Sequence, residues 1–347
     1  MTDLQTEYAS NTSIAQAADW LASSGSVAIT THFKPDGDAV GSSLALARTL
    51  SRLDPARHVE LWYAGALPDF LAEVAGDTPT RHLDTNPPTD ADHPDTLVIV
   101  DTGSWSQLEF AREAVTGKSN RTLIIDHHLR GDATIADRRI VDTTAPAAAQ
   151  IIAHLCCKLL NLPATNLPVE IATPLYLGIA TDTGWFRHSN TTPDMFRLVA
   201  DLLEAGVTST DLYRIIEQRD RVSRLRLFGR ALSKLEMHTN NSIALVMLDE
   251  QDFKDTGGTS GDTGGFADRM LAVESVQVAV VLTESKDHTG APVTKISFRS
   301  KPGPDEIDVN RVAGTLGGGG HARAAGARLP KSLTETRDAV LAALAAN

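Results

Sequence analysis

Cysteine is nearly absent from the 347 residues, with Cys156 and Cys157 the only two. They sit side by side in AAAQIIAHLCCKLLN, whose apolar content predicts a buried helix, so neither a disulfide framework nor a thiolate metal knuckle is expected. Long hydrophobic runs are missing as well. No stretch approaches the roughly 18 apolar residues that span a bilayer, and the opening MTDLQTEYASNTS is neither basic nor apolar enough for a signal peptide. The expected setting is the cytoplasm, with no membrane partner. Positive charge is in deficit, 32 Lys and Arg against 44 Asp and Glu, for a formal net charge of -12. Wrapping long nucleic acid requires many phosphates to be neutralised, which speaks against that class. An anionic partner is therefore expected to be small, held by a local basic patch and metal ions.

The length implies two domains, because single cores stop growing at about 250–300 residues. Four apolar runs read as strands, SVAITTH, HVELWYA, DTLVIVDT and RTLIIDHH, and SSLALARTLSRL, AAAQIIAHLCCKLL and PVEIATPLYLGIAT read as helices. That rhythm predicts an α/β fold with a mainly parallel sheet over residues 1–205. A charged helical linker is expected over 206–239, containing STDLYRIIEQRDRVSRLRLFGRALSKLEMH. A second α/β unit follows over 240–347, with strands in SIALVML, VQVAVVLTE and TKISFRS and helices in VNRVAGTL and TETRDAVLAALAA. Between its first two strands, TGGTSGDTGG reads as a flexible loop.

Acidic and imidazole side chains recur where apolar runs end. HFKPDGDAVGS places His32, Asp36 and Asp38 on a strand-to-helix loop, TLVIVD delivers Asp101, TLIIDHH delivers Asp126, His127 and His128, and IATDTGWFRHSNTT puts Asp182 just after an apolar helix. In open parallel sheets the ligand crevice lies outside the carboxyl ends of the strands, so three strands aim these groups at one place. Each aspartate alone has an ordinary reading as a turn or cap residue. Gathered together, such carboxylates would repel one another unless divalent cations intervene. Imidazole with carboxylate and no thiolate suits Mn, Fe, Co or Zn, and the carboxylate excess favours Mn(II) or Mg(II). An aspartate shared by two ions about 3.5–4 Å apart is the arrangement that activates water and stabilises phosphoryl transfer.

HFKPDGDAVGS, VIVDTG, IDHH and ATDTGWF, in that order, resemble the four motifs of the DHH phosphoesterases, and GGGGHARAAG resembles the signature of the associated DHHA1 domain. The likeness is strongest to the short two-domain members, the NrnA-like oligoribonucleases (nano-RNases) that also dephosphorylate 3'-phosphoadenosine 5'-phosphate (pAp). It implies an N-terminal, mainly parallel-sheet DHH domain and a smaller α/β DHHA1 domain with the active site in the interdomain cleft. It implies two divalent ions, Mn first with Mg or Co as alternatives. His32, Asp36 and Asp101 would hold one, Asp38, Asp101, His127 and Asp182 the other, with Asp101 as the bridge. It places His128 beside the attacked phosphate, and Asp126 behind it as an orienting group.

In the second domain LGGGGHARAAGARL reads either as a hinge or as a backbone cradle in which Gly318, Gly319 and Gly320 present N–H groups to an anion, helped by a following short helix. His321 and the resemblance favour the cradle. The same resemblance makes Arg299 and His321 a clamp on the substrate's other phosphate, a task suited to the guanidinium fork. His188 and Asn190 follow Asp182 closely and are candidates to line the site, whereas Trp185 and Phe186 read as packing. His58, His82, His93, His154, His238 and His288 read as surface or packing residues. The implied substrates are pAp and single-stranded oligonucleotides of about two to five residues, handled with few phosphate contacts by a monomer or homodimer. Alternatives are a linear or cyclic dinucleotide phosphodiesterase, a RecJ-type exonuclease, a family II pyrophosphatase and a non-catalytic nucleotide-binding regulator.

Overall fold

The computed structural model describes residues 7–67, 73–88, 94–286, 290–303 and 306–346, so His93 and His288 lie outside the described residues. The chain divides into two compact units, residues 1–218 and 219–347.

The first unit is built on β1 (Val27–Thr30), β2 (Val59–Tyr63), β3 (Thr80–His82), β4 (Thr96–Val100), β5 (Thr122–Asp126) and β6 (Arg138–Val141), all pairing in parallel in the order β3-β2-β1-β4-β5-β6. Four of these are the expected strands. Central β4 and β5 are buried throughout, which is why they read as continuous apolar runs. The short β3 and the arginine-bearing β6 lie at the two edges, where strands need little hydrophobic character, and they carry no such pattern. The strand order reverses between β1 and β4, and that reversal opens the crevice.

Helices α1 (Ile14–Ala22), α2 (Gly37–Leu53), α3 (Ala148–Leu160), α4 (Val169–Asp182), α5 (Pro193–Glu204) and α6 (Ser209–Glu217) accompany the sheet. Helix α2 starts earlier than its apolar pattern suggests because Asp36 caps it, accepting from the Asp38 and Ala39 amides at 3.0 and 3.1 Å. Pro174 inside α4 cannot donate to the Glu170 carbonyl one turn back, and Arg48 of α2 donates to it instead at 2.8 Å. The same two helices cross at glycines. A Cβ on Gly41 would collide with the Pro174 carbonyl oxygen and lie 2.9 Å from the Gly178 amide nitrogen. A Cβ on Gly178 would lie 2.7 Å from Asp38 Oδ1. Gly41→Ala is therefore expected to destabilise the protein by about 2 kcal/mol, read as a lower urea midpoint, because neither backbone can retreat without moving Asp38.

In the second unit β7 (Glu236–His238), β8 (Ile243–Leu248), β9 (Val278–Lys286), β10 (Pro292–Ser300), β11 (Gly319–His321) and β12 (Ala324–Leu329) form a mixed sheet in the order β11-β12-β10-β9-β8-β7. Only β8 and β9 run parallel. Helices α7 (Val222–Ser233), α8 (Glu250–Thr256) and α9 (Phe266–Met270) lie in the first half of the unit, and α10 (Val309–Thr315) and α11 (Leu333–Ala345) in the second. Phe298, Ile296 and Val280 pack with Val309 and Val340 in one cluster, while Val281 and Val246 pack with Leu227 and Phe266 in another. The sheet is thus covered on both faces.

Two readings are corrected here. The stretch TGGTSGDTGG is not loose: Arg221 pairs with Asp262 at 2.7 Å, Arg224 donates to the Asp262 carbonyl, and the Thr259 amide and hydroxyl both donate to the Asp262 carboxylate. The glycines of GGGGH are followed by a strand rather than a short helix. Gly319–His321 is an exposed edge strand, and a side chain at Gly318 or Gly320 would strike the β12 backbone. Close strand approach gives Gly318 and Gly320 a structural reason of their own, and the Gly318 amide donates to the Ala313 carbonyl at 2.8 Å.

Candidate metal centre

The strands of the first unit converge their polar ends at the reversal. His32 follows β1, Asp101 follows β4, and Asp126, His127 and His128 end or follow β5. Asp38 lies in the first turn of α2, and Asp182 is the last residue of α4. Asp101 is held at φ 61, an uncommon conformation for a residue with a side chain, with its amide donating to the Ile125 carbonyl at 2.9 Å.

Two overlapping donor sets result. His32 Nε2 stands 3.8 Å from Asp36 Oδ1 and 3.6 Å from Asp101 Oδ2. His127 Nε2 stands 3.2 Å from Asp101 Oδ1, 3.7 Å from Asp182 Oδ2 and 3.9 Å from Asp38 Oδ2. The two oxygens of Asp101 thus face opposite histidines. Its Oδ1 is buried without a hydrogen-bond partner, an expensive condition that a cation would relieve. The groups His32, Asp36, Asp101 and Asp38, His127, Asp182 each bring one ligand atom per residue close enough to share an ion, and so do Asp101, His127 and His128. Both rings are preset for that role. The Phe33 carbonyl at 3.1 Å and the Ala145 carbonyl at 3.3 Å can only accept, so Nδ1 of His32 and of His127 is the donor and Nε2 is left to the cluster. Asp38 is buried and also caps α3, accepting from the Ala148 and Ala149 amides at 2.6 and 2.9 Å, with Ser42 Oγ at 3.0 Å.

Asp126 has a different role. Its Oδ1 accepts from the His127 amide at 2.8 Å, the His128 amide at 3.2 Å and His128 Nδ1 at 2.7 Å, and its Oδ2 accepts from Tyr8 Oη at 2.6 Å. The carboxylate is saturated, so it orients His128. His128 Nδ1 also lies 3.9 Å from Asp101 Oδ1, but the much shorter bond to Asp126 claims that nitrogen. Tyr8 carries no signal in the sequence.

Electrostatics match a cation site occupied by protons. Burial alone would lower the His32 and His127 imidazoles, but the surrounding carboxylates, Asp101 foremost, hold both up to about 10. Burial, with Asp101 and Asp182 beside it, pushes Asp38 well above the carboxylate range, and burial raises Asp182 to about 6. Groups raised in the folded state stabilise it below their ordinary values, and that stability is lost as pH rises through the shifted ones. For the histidines the window runs from about 6.5 to about 10. Ligation needs the same protons to leave. The rise in melting temperature caused by saturating Mn(II) is therefore expected to be larger at pH 8.5 than at pH 6, read by thermal denaturation. A rise that shrinks with pH would contradict the assignment.

The remaining candidates are placed as follows. Asn190 is exposed and donates to the Pro146 carbonyl at 3.1 Å and the Asp182 carbonyl at 3.4 Å, tying the following turn to the site. His188 is exposed with its ring against Gly184. Trp185 and Phe186 pack as expected, against Tyr213 and against Tyr176 and Phe196. In the second unit Arg299 of β10 and His321 of β11 both stand opposite Ala324 of β12. Opposed residues share a face, so these two side chains form one row about 10 Å apart. Arg299 Nε also lies 3.6 Å from Asp268. No helix among the described residues is long and apolar enough to cross a membrane.

Residues 26–179 match the DHH family, N-terminal domain, and residues 231–346 match the DHHA1 domain. The bifunctional oligoribonuclease and PAP phosphatase NrnA of Thermus thermophilus is 32% identical over 305 residues, covering 88% of this chain and 84% of that protein. The Bacillus subtilis protein of the same name is 24% identical, covering 86% and 87%. An exopolyphosphatase-related protein from Bacteroides fragilis superposes with a TM-score of 0.85 at 26% identity over 95% of each chain. RecJ from Thermus thermophilus, solved with Mn2+, shares the fold with a TM-score of 0.56 at 18% identity, covering 96% of this chain and 55% of that one. With both domains matched in order and a relative of this identity along most of its length, the chain belongs to the DHH/DHHA1 family of phosphoesterases, hydrolases of phosphoester bonds.

Proposed function

We propose that the protein is a Mn-dependent phosphodiesterase and phosphatase that trims RNA oligonucleotides of about two to five residues to mononucleotides and converts pAp to AMP. The observation that carries the reading is Asp101, whose two carboxylate oxygens face the separate His32 and His127 donor sets. Identity of 32% to a protein named for both activities supports the choice of substrates.

His32, Asp36 and Asp101 are assigned to one ion, and Asp38, Asp101, His127 and Asp182 to the other. When bound, such a pair supplies a water of lowered pKa and neutralises charge on the phosphoryl oxygens. The protein's own groups do the rest. Nδ1 tethers keep the His32 and His127 rings aimed inward, and Asp126 holds His128 as a donor for the phosphate or its leaving oxygen. Arg299 and His321 are assigned to the substrate's distal phosphate, with Gly319 and Gly320 as neighbouring backbone donors and His188 and Asn190 as lining residues; the Gly318 amide is already donated to the Ala313 carbonyl at 2.8 Å. The RecJ likeness concerns the fold, and the net charge of -12 weighs against tracking a long strand.

The test is turnover of pAp, pApA, a 5-mer, a 24-mer RNA and pyrophosphate under Mn(II). The proposal expects the dinucleotide and pAp to be preferred. Arg299→Ala is expected to raise KM for pApA about tenfold or more, with kcat changed less, through loss of a charge-assisted phosphate contact. Preferred cleavage of the 24-mer or of pyrophosphate would sink the short-substrate reading.

A further inference from the structure

We propose that Tyr8 is a positioning residue, acting through Asp126 to fix the ring of His128. The inference rests on the hydrolytic role given to His128 above.

The chain before α1 is laid along β6, the sheet edge beside β5. The amides of Asn11 and Thr12 donate to the Arg139 carbonyl at 3.0 and 3.1 Å, and the Arg139 amide donates back to Asn11 Oδ1 at 2.8 Å. Ser10 Oγ accepts from the Val141 amide at 2.7 Å and donates to the Val141 carbonyl at 2.9 Å. This anchoring delivers the Tyr8 ring into a slot whose walls include Gly103 and Gly131. A Cβ on either glycine would overlap the ring, so that no side chain at these positions leaves room for Tyr8 where it stands. At the end of the slot Tyr8 Oη donates to Asp126 Oδ2 at 2.6 Å.

Asp126 is fully buried, and its other oxygen carries His128 Nδ1 at 2.7 Å together with two amides. A carboxylate bound through one oxygen can rock about that contact, and one bound through both cannot. The Tyr8 hydroxyl therefore settles the angle at which Asp126 meets the imidazole. Without it, Oδ2 would be a buried acceptor lacking its partner, and the local structure would shift to satisfy it. The His127 ring is tethered through the Ala145 carbonyl, whereas His127 meets Asp126 through its backbone amide. Cation affinity should accordingly be insensitive to Tyr8.

Tyr8→Ala would empty the slot, so the informative variant is Tyr8→Phe, which keeps the ring and removes one oxygen. The expected result is a fall in kcat on pApA of about tenfold, the usual scale for losing a group that orients a functional histidine, with KM and Mn(II) affinity unchanged. In a His128→Ala background the same substitution is expected to cost nothing further, because the two residues act in series. In the metal-free protein the imidazole proton signal of His128 Nδ1, seen with 15N-labelled histidine, is expected to broaden or disappear in Tyr8→Phe. Equal losses in both backgrounds, or an unaltered His128 signal, would overturn the assignment. The ring signal needs no turnover, so a wild-type protein inactive on every phosphoester would refute the hydrolytic reading while the signal still decides the role of Tyr8.

Discussion

Asp101→Ala is expected to reduce turnover of pApA and pAp by about 10⁴-fold or more, because it removes a ligand from both donor sets at once. Oδ1 lies 3.2 Å from His127 Nε2 and Oδ2 lies 3.6 Å from His32 Nε2. Asp126 cannot substitute for it, being saturated by Tyr8, His128 and two amides. The position at φ 61 adds a backbone effect, because alanine occupies that region less readily than aspartate or asparagine. Asp101→Asn separates the two causes. It retains the backbone preference but replaces an anionic ligand by a neutral amide, so it should unfold like the wild type while remaining nearly inactive. Recovery of activity in the asparagine variant would assign the loss to the backbone and contradict the shared-ligand role.

The second large effect is expected at His128. Replacement by alanine should lower kcat by about 10²- to 10³-fold, within the range for losing a positioned proton donor, while Mn(II) binding is retained. The hydrogen bond from His128 Nδ1 to Asp126 raises the imidazole above its ordinary value, so its charged form persists to higher pH than for a free histidine. If that form is the active one, the alkaline fall of the wild-type kcat profile should flatten in His128→Ala. Loss of Mn(II) affinity in the same variant would instead make His128 a ligand, in the group it forms with Asp101 and His127.

Much of the first unit was legible because its central strands are buried on both faces. TLVIV and TLIID have no polar alternation to obscure them, and each hands an acidic or imidazole group to the crevice as it ends. The residues that cluster in the crevice were legible for the same reason. What stayed hidden depends on tertiary contact. β6 is an edge strand completed by the segment around Ser10 and Asn11, and Tyr8 meets Asp126 across 118 residues of sequence, so no local pattern announces either. The order of the glycine-rich stretches was hidden for a related reason. Composition suggested freedom around residue 260, whereas the Asp262 carboxylate, pinned by Arg221 and Thr259, orders that turn. At GGGGH the glycines serve the close approach of β11 to β12. The ordinary reading of the motif aspartates is compatible with the proposed one. Asp36 caps α2 and Asp38 caps α3 while both face the cluster.

Asp101 is proposed to join two cation positions into one hydrolytic centre. Its most direct test is to strip the protein with chelator, titrate Mn(II) back, and follow bound metal and pApA turnover together. No turnover is expected without metal, then a rise that completes as two ions bind per chain, and almost none in Asp101→Ala at any Mn(II) concentration. Turnover in the stripped protein, or full turnover in the variant, would contradict it.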